Sequence, residues 1–137
     1  MVRYQTHLDG TDWEALRRDL IADDFHNGRT TMQLRRSFEN SQHVALGFDG
    51  DRCIATGRML SDGVGNAYVI DVWTLSAFRN RGVATEIMRL LTDVVPGQHV
   101  YLQTDDAVGF YTRLGFRPQP EGLSIIVGRY LDNDTRG

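Results

Sequence analysis

The sequence predicts one α/β domain, a mixed sheet covered by helices on both faces. Three observations predict it. Strand-like runs in the first half are joined by turn signals, and a strand–helix–strand–helix–strand alternation fills the second half. The 137 residues, 41% of them apolar, suffice for a single hydrophobic core.

The elements follow in order. Residues 2–7, "VRYQTH", alternate Val2 and Tyr4 with polar neighbours, as a first strand does. In "TDWEALRRDLIADDF" the apolar Trp13, Leu16, Leu20 and Ile21 recur at the spacing of an amphipathic helix. The polar "ADDFHNGR" carries an Asn-Gly turn signal, and "RTTMQLRRSFENS" then places Leu34 and Phe38 one helical turn apart behind a threonine cap. "HVALGF" and "RCIATGRML" form a hairpin through "DGD", and "SDGVGN" turns into "AYVIDVWTL", a β-branched and aromatic central strand.

"GVATEIMRLLTDVV" puts Val83, Ile87, Leu90, Leu91 and Val94 on one side of a helix that Pro96-Gly97 ends. "HVYLQT" is the next strand. "DDAVGFYTRLG" reads as a short helix with an aspartate cap and a terminating glycine, and "LSIIVGRYL" as the last strand. The order is β-α-α-β-β-β-α-β-α-β over residues 1–137, with 131–137 a loose tail.

Bulk chemistry excludes several classes. A formal charge of −3 argues against a nucleic-acid binder. No run approaches the ~18 apolar residues of a membrane span, and "MVRYQTHLDG" lacks a signal-peptide core, so a cytoplasmic protein is expected. Cys53 is the single cysteine and sits in an apolar run, so it reads as a small buried hydrophobe. The histidines at 7, 26, 43 and 99 have no metal-ligand spacing, and no metal is expected.

The most informative stretch is "FRNRGVATEIMRLL", residues 78–91. Gly82 stands at the first turn of a helix, where leading N–H groups lack partners and favour an anion. Arg79 and Arg81 add forked donors suited to phosphate, so the stretch reads as a diphosphate cradle. A glycine at a loop–helix junction flanked by solvated arginines is the plainer alternative. The stretch is not a nucleotide P-loop, because no Gly-Lys-Ser/Thr follows.

"RNRGVA" is similar to the R/Q-x-x-G-x-G/A motif of the GNAT superfamily of N-acetyltransferases, and "AVGFYTRLGF" resembles its second signature, A-x-x-F/L-Y-x-x-x-G-F. With the preceding "VIDVWTL" the resemblance runs from about Val2 to Tyr130. Asn80 stands where glycine is common, Ala84 is the permitted small alternative, and Ser76 replaces a frequent proline. The resemblance implies a mostly antiparallel sheet with splayed central strands, and an acetyl-CoA-dependent N-acetyltransferase acting on a primary amine of a small molecule or peptide by direct attack.

The resemblance also implies roles. Main-chain groups of Arg79, Asn80, Arg81, Gly82, Val83, Ala84 and Thr85 would hold the diphosphate. Val72, Trp73 and Thr74 would hold the pantetheine arm as an added strand, with a backbone N–H near Val72 or Trp73 meeting the thioester carbonyl. Tyr111 matches the tyrosine that protonates the departing thiolate, and a phenol with a reference pKa of ~10 is protonated at neutral pH.

Other assignments rest on the residues alone. Asp71 is a carboxylate within an apolar strand; it either accepts the amine's proton or attracts a cationic substrate, or it is structural, bonded to backbone or an arginine. Asp105 and Asp106 are further candidates for the base. Asp23, Asp24, Phe25 and His26 in the interhelical loop suit a cationic amine, though adjacent acids in a loop are also simply solvated. A different class remains open: a non-catalytic acyl-CoA sensor or protein-interaction module, which would have no need of Tyr111. A homodimer paired at the "SIIVGRY" edge is a further expectation.

Overall fold

The computed structural model describes residues 1–133, so residues 134–137 of the expected tail lie outside the described residues. In chain order the elements are β1 (Arg3–Gln5), α1 (Trp13–Ala22), α2 (Thr31–Glu39), β2 (His43–Asp49), β3 (Arg52–Ser61), β4 (Asn66–Thr74), a 3₁₀ turn (Ser76–Phe78), α3 (Val83–Thr92), β5 (His99–Tyr101) and α4 (Val108–Arg113). The chain divides into two compact units, Met1–Gln103 and a smaller one beginning at Thr104.

The first unit holds a five-stranded sheet in the order β1-β2-β3-β4-β5. All neighbours are antiparallel except β4 and β5, which run parallel because α3 carries the chain back between them. Gly57 and Arg58 are neighbours on β3 and so point to opposite faces. A Cβ on Gly57 would meet Ile87 and Leu91 of α3, whereas Arg58 reaches Ser41 and the Ser37 carbonyl at the end of α2. Helices therefore lie on both faces, as the sequence predicts.

The helices form where local chemistry supports them. Asp12 caps α1 by accepting from the Ala15 N–H. Thr30 and Gln33 form a full capping box on α2, each side chain accepting from the other's backbone N–H. Trp13 of α1 packs on Phe38 of α2 with ring centroids 5.6 Å apart. Helix α3 buries Val83, Ile87, Met88 and Leu91 against the sheet, each worth about 1.5–3 kcal/mol relative to exposure.

Several expectations are corrected. Ile21 and Val94 are exposed rather than core, and α3 stops at Thr92, short of Pro96-Gly97. Val95, beyond the helix, is buried in place of Val94. No aspartate caps α4; the Thr104 hydroxyl accepts from the Ala107 N–H instead. Residues 123–131, "LSIIVGRYL", form no strand, and Leu123, Ile125 and Val127 are all exposed. β-branched composition favours a strand only where a partner strand completes the ladder, and this segment is not paired with one.

Candidate active site

The site begins with an irregularity in β4. Thr56 pairs with Trp73 and Arg58 with Ile70, so Asp71 and Val72 together oppose the single residue Gly57. That is a β-bulge, and Asp71 takes a left-handed φ of 58° there. The Thr56 hydroxyl donates to the Asp71 carbonyl at 2.8 Å, giving the bulged backbone an acceptor's partner. On the other side of β4, β5 pairs only with Asn66–Tyr68. β5 ends at Tyr101, and residues 69–74 of β4 have no partner strand on that side among the described residues.

The chain then passes through the 3₁₀ turn to the start of α3. Asn80 and Gly82 both adopt left-handed φ, 63° and 79°. Asparagine tolerates that region better than most residues, which accounts for its presence where glycine is common. Gly82 is the N-cap of α3, no side chain caps the helix, and a Cβ built on Gly82 would touch nothing within 4 Å. The leading N–H groups of α3 thus have no side-chain cap, and the space beside Gly82 is open, an arrangement that suits an anion. The Arg79 Nε–H donates to the Thr74 carbonyl at 3.0 Å, fastening the turn to β4. Arg81 lies over the Phe78 ring, 5.3 Å from its centroid. The Thr74 hydroxyl is buried and has no hydrogen-bond partner.

The α1–α2 loop is tied to β4 at two points. Asp23 accepts from the Trp73 indole N–H at 3.0 Å and from the Ser76 N–H at 3.2 Å. Arg29, only 5% exposed, grips both oxygens of Asp71 at 2.8 and 3.1 Å, and the Arg58 Nε–H adds a third donor at 2.6 Å. Asp71 is therefore enclosed by two guanidiniums. This supports the structural alternative for Asp71, because both carboxylate oxygens are already engaged in charge-assisted hydrogen bonds.

Of the four loop residues predicted to meet an acceptor, Asp23 is thus engaged in bonding β4. Asp24 is exposed, whereas Phe25 and His26 are half-buried, with His26 Nδ1 shielded and unpartnered.

In the second unit, Tyr111 packs edge-on against Phe110 and Phe116, with centroids 4.9 and 5.7 Å away. Burial, then the nearby Asp106 charge, push its phenol above the ordinary value. Asp105 and Asp106 are both exposed. Among the described residues, no helix is long and apolar enough to cross a membrane, and no three His, Cys, Asp or Glu side chains are grouped to hold a metal ion.

The sequence profile of the acetyltransferase (GNAT) family matches residues 12–116. The chain belongs to the GNAT acetyltransferase family. Solved structures agree. A GNAT-family protein from Xanthomonas campestris pv. campestris superposes with a TM-score of 0.76 at 28% identity, over 87% of this chain and 86% of that one. A GNAT-family acetyltransferase from Streptococcus pneumoniae gives 0.78 at 22% identity, over 94% and 100%. A protein of unknown function from meticillin-resistant Staphylococcus aureus gives 0.80 at 21%, over 93% and 100%; these last two likenesses are of fold alone. No curated protein matches the chain.

Within the first unit the chain runs from the β4 stretch at Val72–Thr74, which has no partner strand on the β5 side, through the 3₁₀ turn to the Arg79–Thr85 turn. Sequence reasoning missed Arg29 and Arg58. A signal for Arg58 was present, since it is a lone charge in the apolar run "CIATGRML" of β3, as Asp71 is in β4. Nothing in the local sequence marks Arg29, which stands 42 positions from Asp71.

Proposed function

We propose that this GNAT protein is an acetyl-CoA-dependent N-acetyltransferase that moves the acetyl group to a primary amine of a small molecule or peptide by direct attack. The observation that carries the reading is the uncapped, open N-terminus of α3 at Gly82, beside a stretch of β4 with no partner strand. The residues present fit acetyl-CoA. Main-chain N–H groups from Arg79 to Thr85 would hold its diphosphate, and the β4 edge at Val72, Trp73 and Thr74 its pantetheine arm.

When bound, acetyl-CoA supplies a thioester whose carbonyl carbon is open to an amine. A backbone N–H of Val72 or Trp73, at or just after the Asp71–Val72 bulge, would meet the carbonyl oxygen as it gains charge. Tyr111 would give its proton to the departing sulfur, a role supported by its place in the second motif and by a phenol held protonated well above neutral pH. The loop residues Asp24, Phe25 and His26 would face the acceptor.

The test is free-thiol release from acetyl-CoA over a panel of primary amines. Saturable, amine-dependent release supports the transferase. Tight acetyl-CoA binding with no release from any amine would replace it with the acyl-CoA sensor.

A further inference from the structure

We propose that the α1–α2 loop is a positioning clamp on the β4 bulge. It grips the residue on either side of Val72, so that Arg29 and Asp23, which touch no reacting atom, hold the backbone where the thioester carbonyl is read. The consequence for catalysis rests on the transferase reading above; the clamp itself does not.

Arg29 takes hold of Asp71, and Asp23 takes hold of Trp73 and Ser76, so the two anchors flank Val72. The loop is itself secured. The Arg29 Nε–H donates to the His26 carbonyl at 3.1 Å, Arg29 Nη1 to the Ser37 hydroxyl at 3.2 Å, and the Arg17 Nε–H to the Arg29 carbonyl at 2.6 Å. Arg58 steadies Asp71 from β3 and also reaches the Ser41 hydroxyl.

Stability alone is a poor reason for this arrangement. A buried ion pair rarely outperforms apolar residues of the same volume. Asp71 also sits at a φ of 58°, a conformation that costs an ordinary residue energy. Buried charge and backbone strain at the one place where β4 leaves its register point to a geometry being held. Because the same loop carries Asp24, Phe25 and His26, the clamp fixes the acceptor side and the thioester side as one piece.

Residue-resolved amide hydrogen exchange on the ligand-free protein tests the clamp, using Asp23→Asn and Arg29→Lys as variants mild enough to fold. Exchange at residues 70–75, including the Leu75 N–H bonded to the Ile54 carbonyl at 2.7 Å, should rise about tenfold more than exchange in β2. In turnover, kcat should fall about tenfold while KM for acetyl-CoA stays within about threefold. Exchange that rises equally in β2 and β4 means a merely stabilising contact and overturns the clamp. Loosened β4 with unchanged kcat overturns the positioning role. A wild type that neither binds acetyl-CoA nor releases thiol, with β4 still selectively loosened in the variants, ends the transferase reading and leaves the clamp standing.

Discussion

Gly57 of β3 stands directly beneath Ile87 of α3: a Cβ added to the glycine would come within 2.6 Å of the Ile87 Cγ2 atom. No real Cβ is accommodated at that distance without movement. The missing side chain lets α3 settle onto the sheet, and the N-terminus of that helix is the proposed diphosphate site. Gly57→Ala should therefore cost about 1–3 kcal/mol of stability, as overpacking does, read as a lowered denaturant midpoint with unchanged slope. A variant as stable as the wild type would show that α3 has room to shift.

Tyr111→Phe keeps the ring and removes the proton. Turnover should fall roughly ten- to a thousand-fold with acetyl-CoA affinity little changed, under conditions where chemistry limits the rate. As the proposed acid, the phenol would act in its protonated form, so activity should be lost as pH rises through its pKa. Burial and Asp106 raise that pKa, which places the alkaline limb above the ordinary ~10. Asp106→Asn removes a charge that disfavours the phenolate, so it should move this limb to lower pH. A pH–rate profile of the two proteins checks the direction.

Asp71→Asn separates a base from a strut. With both carboxylate oxygens already bonded to arginines, the change should leave the acid limb of the pH profile in place. It should also lower stability by about 3–5 kcal/mol, because two guanidiniums lose their counter-charge. Paired measurements of melting temperature and pH–rate profile decide it. An acid limb that moves would restore Asp71 as the base.

Cys53 should be inert in the folded protein. It is 6% exposed, its thiol donates to the Ala55 carbonyl, and burial pushes its pKa up to about 12. A thiol reagent at pH 8 should label it only after denaturation; labelling of the native protein at the rate of a free thiol would mean the β2–β3 hairpin opens.

Much of this was legible in the sequence, and the rest was hidden for physical reasons. Local signals carried well: a threonine announced the cap of α2, Gly82 announced the first turn of α3, and Val83, Ile87 and Leu91 announced its buried stripe. What failed depended on partners distant in sequence. Ile21 has the composition of the α1 stripe yet faces solvent, because it lies about 100° around the helix from Leu20, away from the face set by Trp13, Leu16 and Leu20. The run at 123–127 has strand composition, but a strand exists only with a neighbour. Asp71 was visible as an oddity, yet its meaning lay in Arg29 and Arg58, which only the fold brings to it.

The central claim, that the turn at Gly82 holds the diphosphate of acetyl-CoA, is tested most directly by calorimetric titration of acetyl-CoA into three proteins. The wild type should bind. Gly82→Asn keeps a residue that tolerates the left-handed turn and adds no charge, so it should bind within about tenfold of the wild type. Gly82→Glu places a carboxylate where the diphosphate belongs and should abolish binding. Equal affinity in the glutamate variant and the wild type would contradict the account.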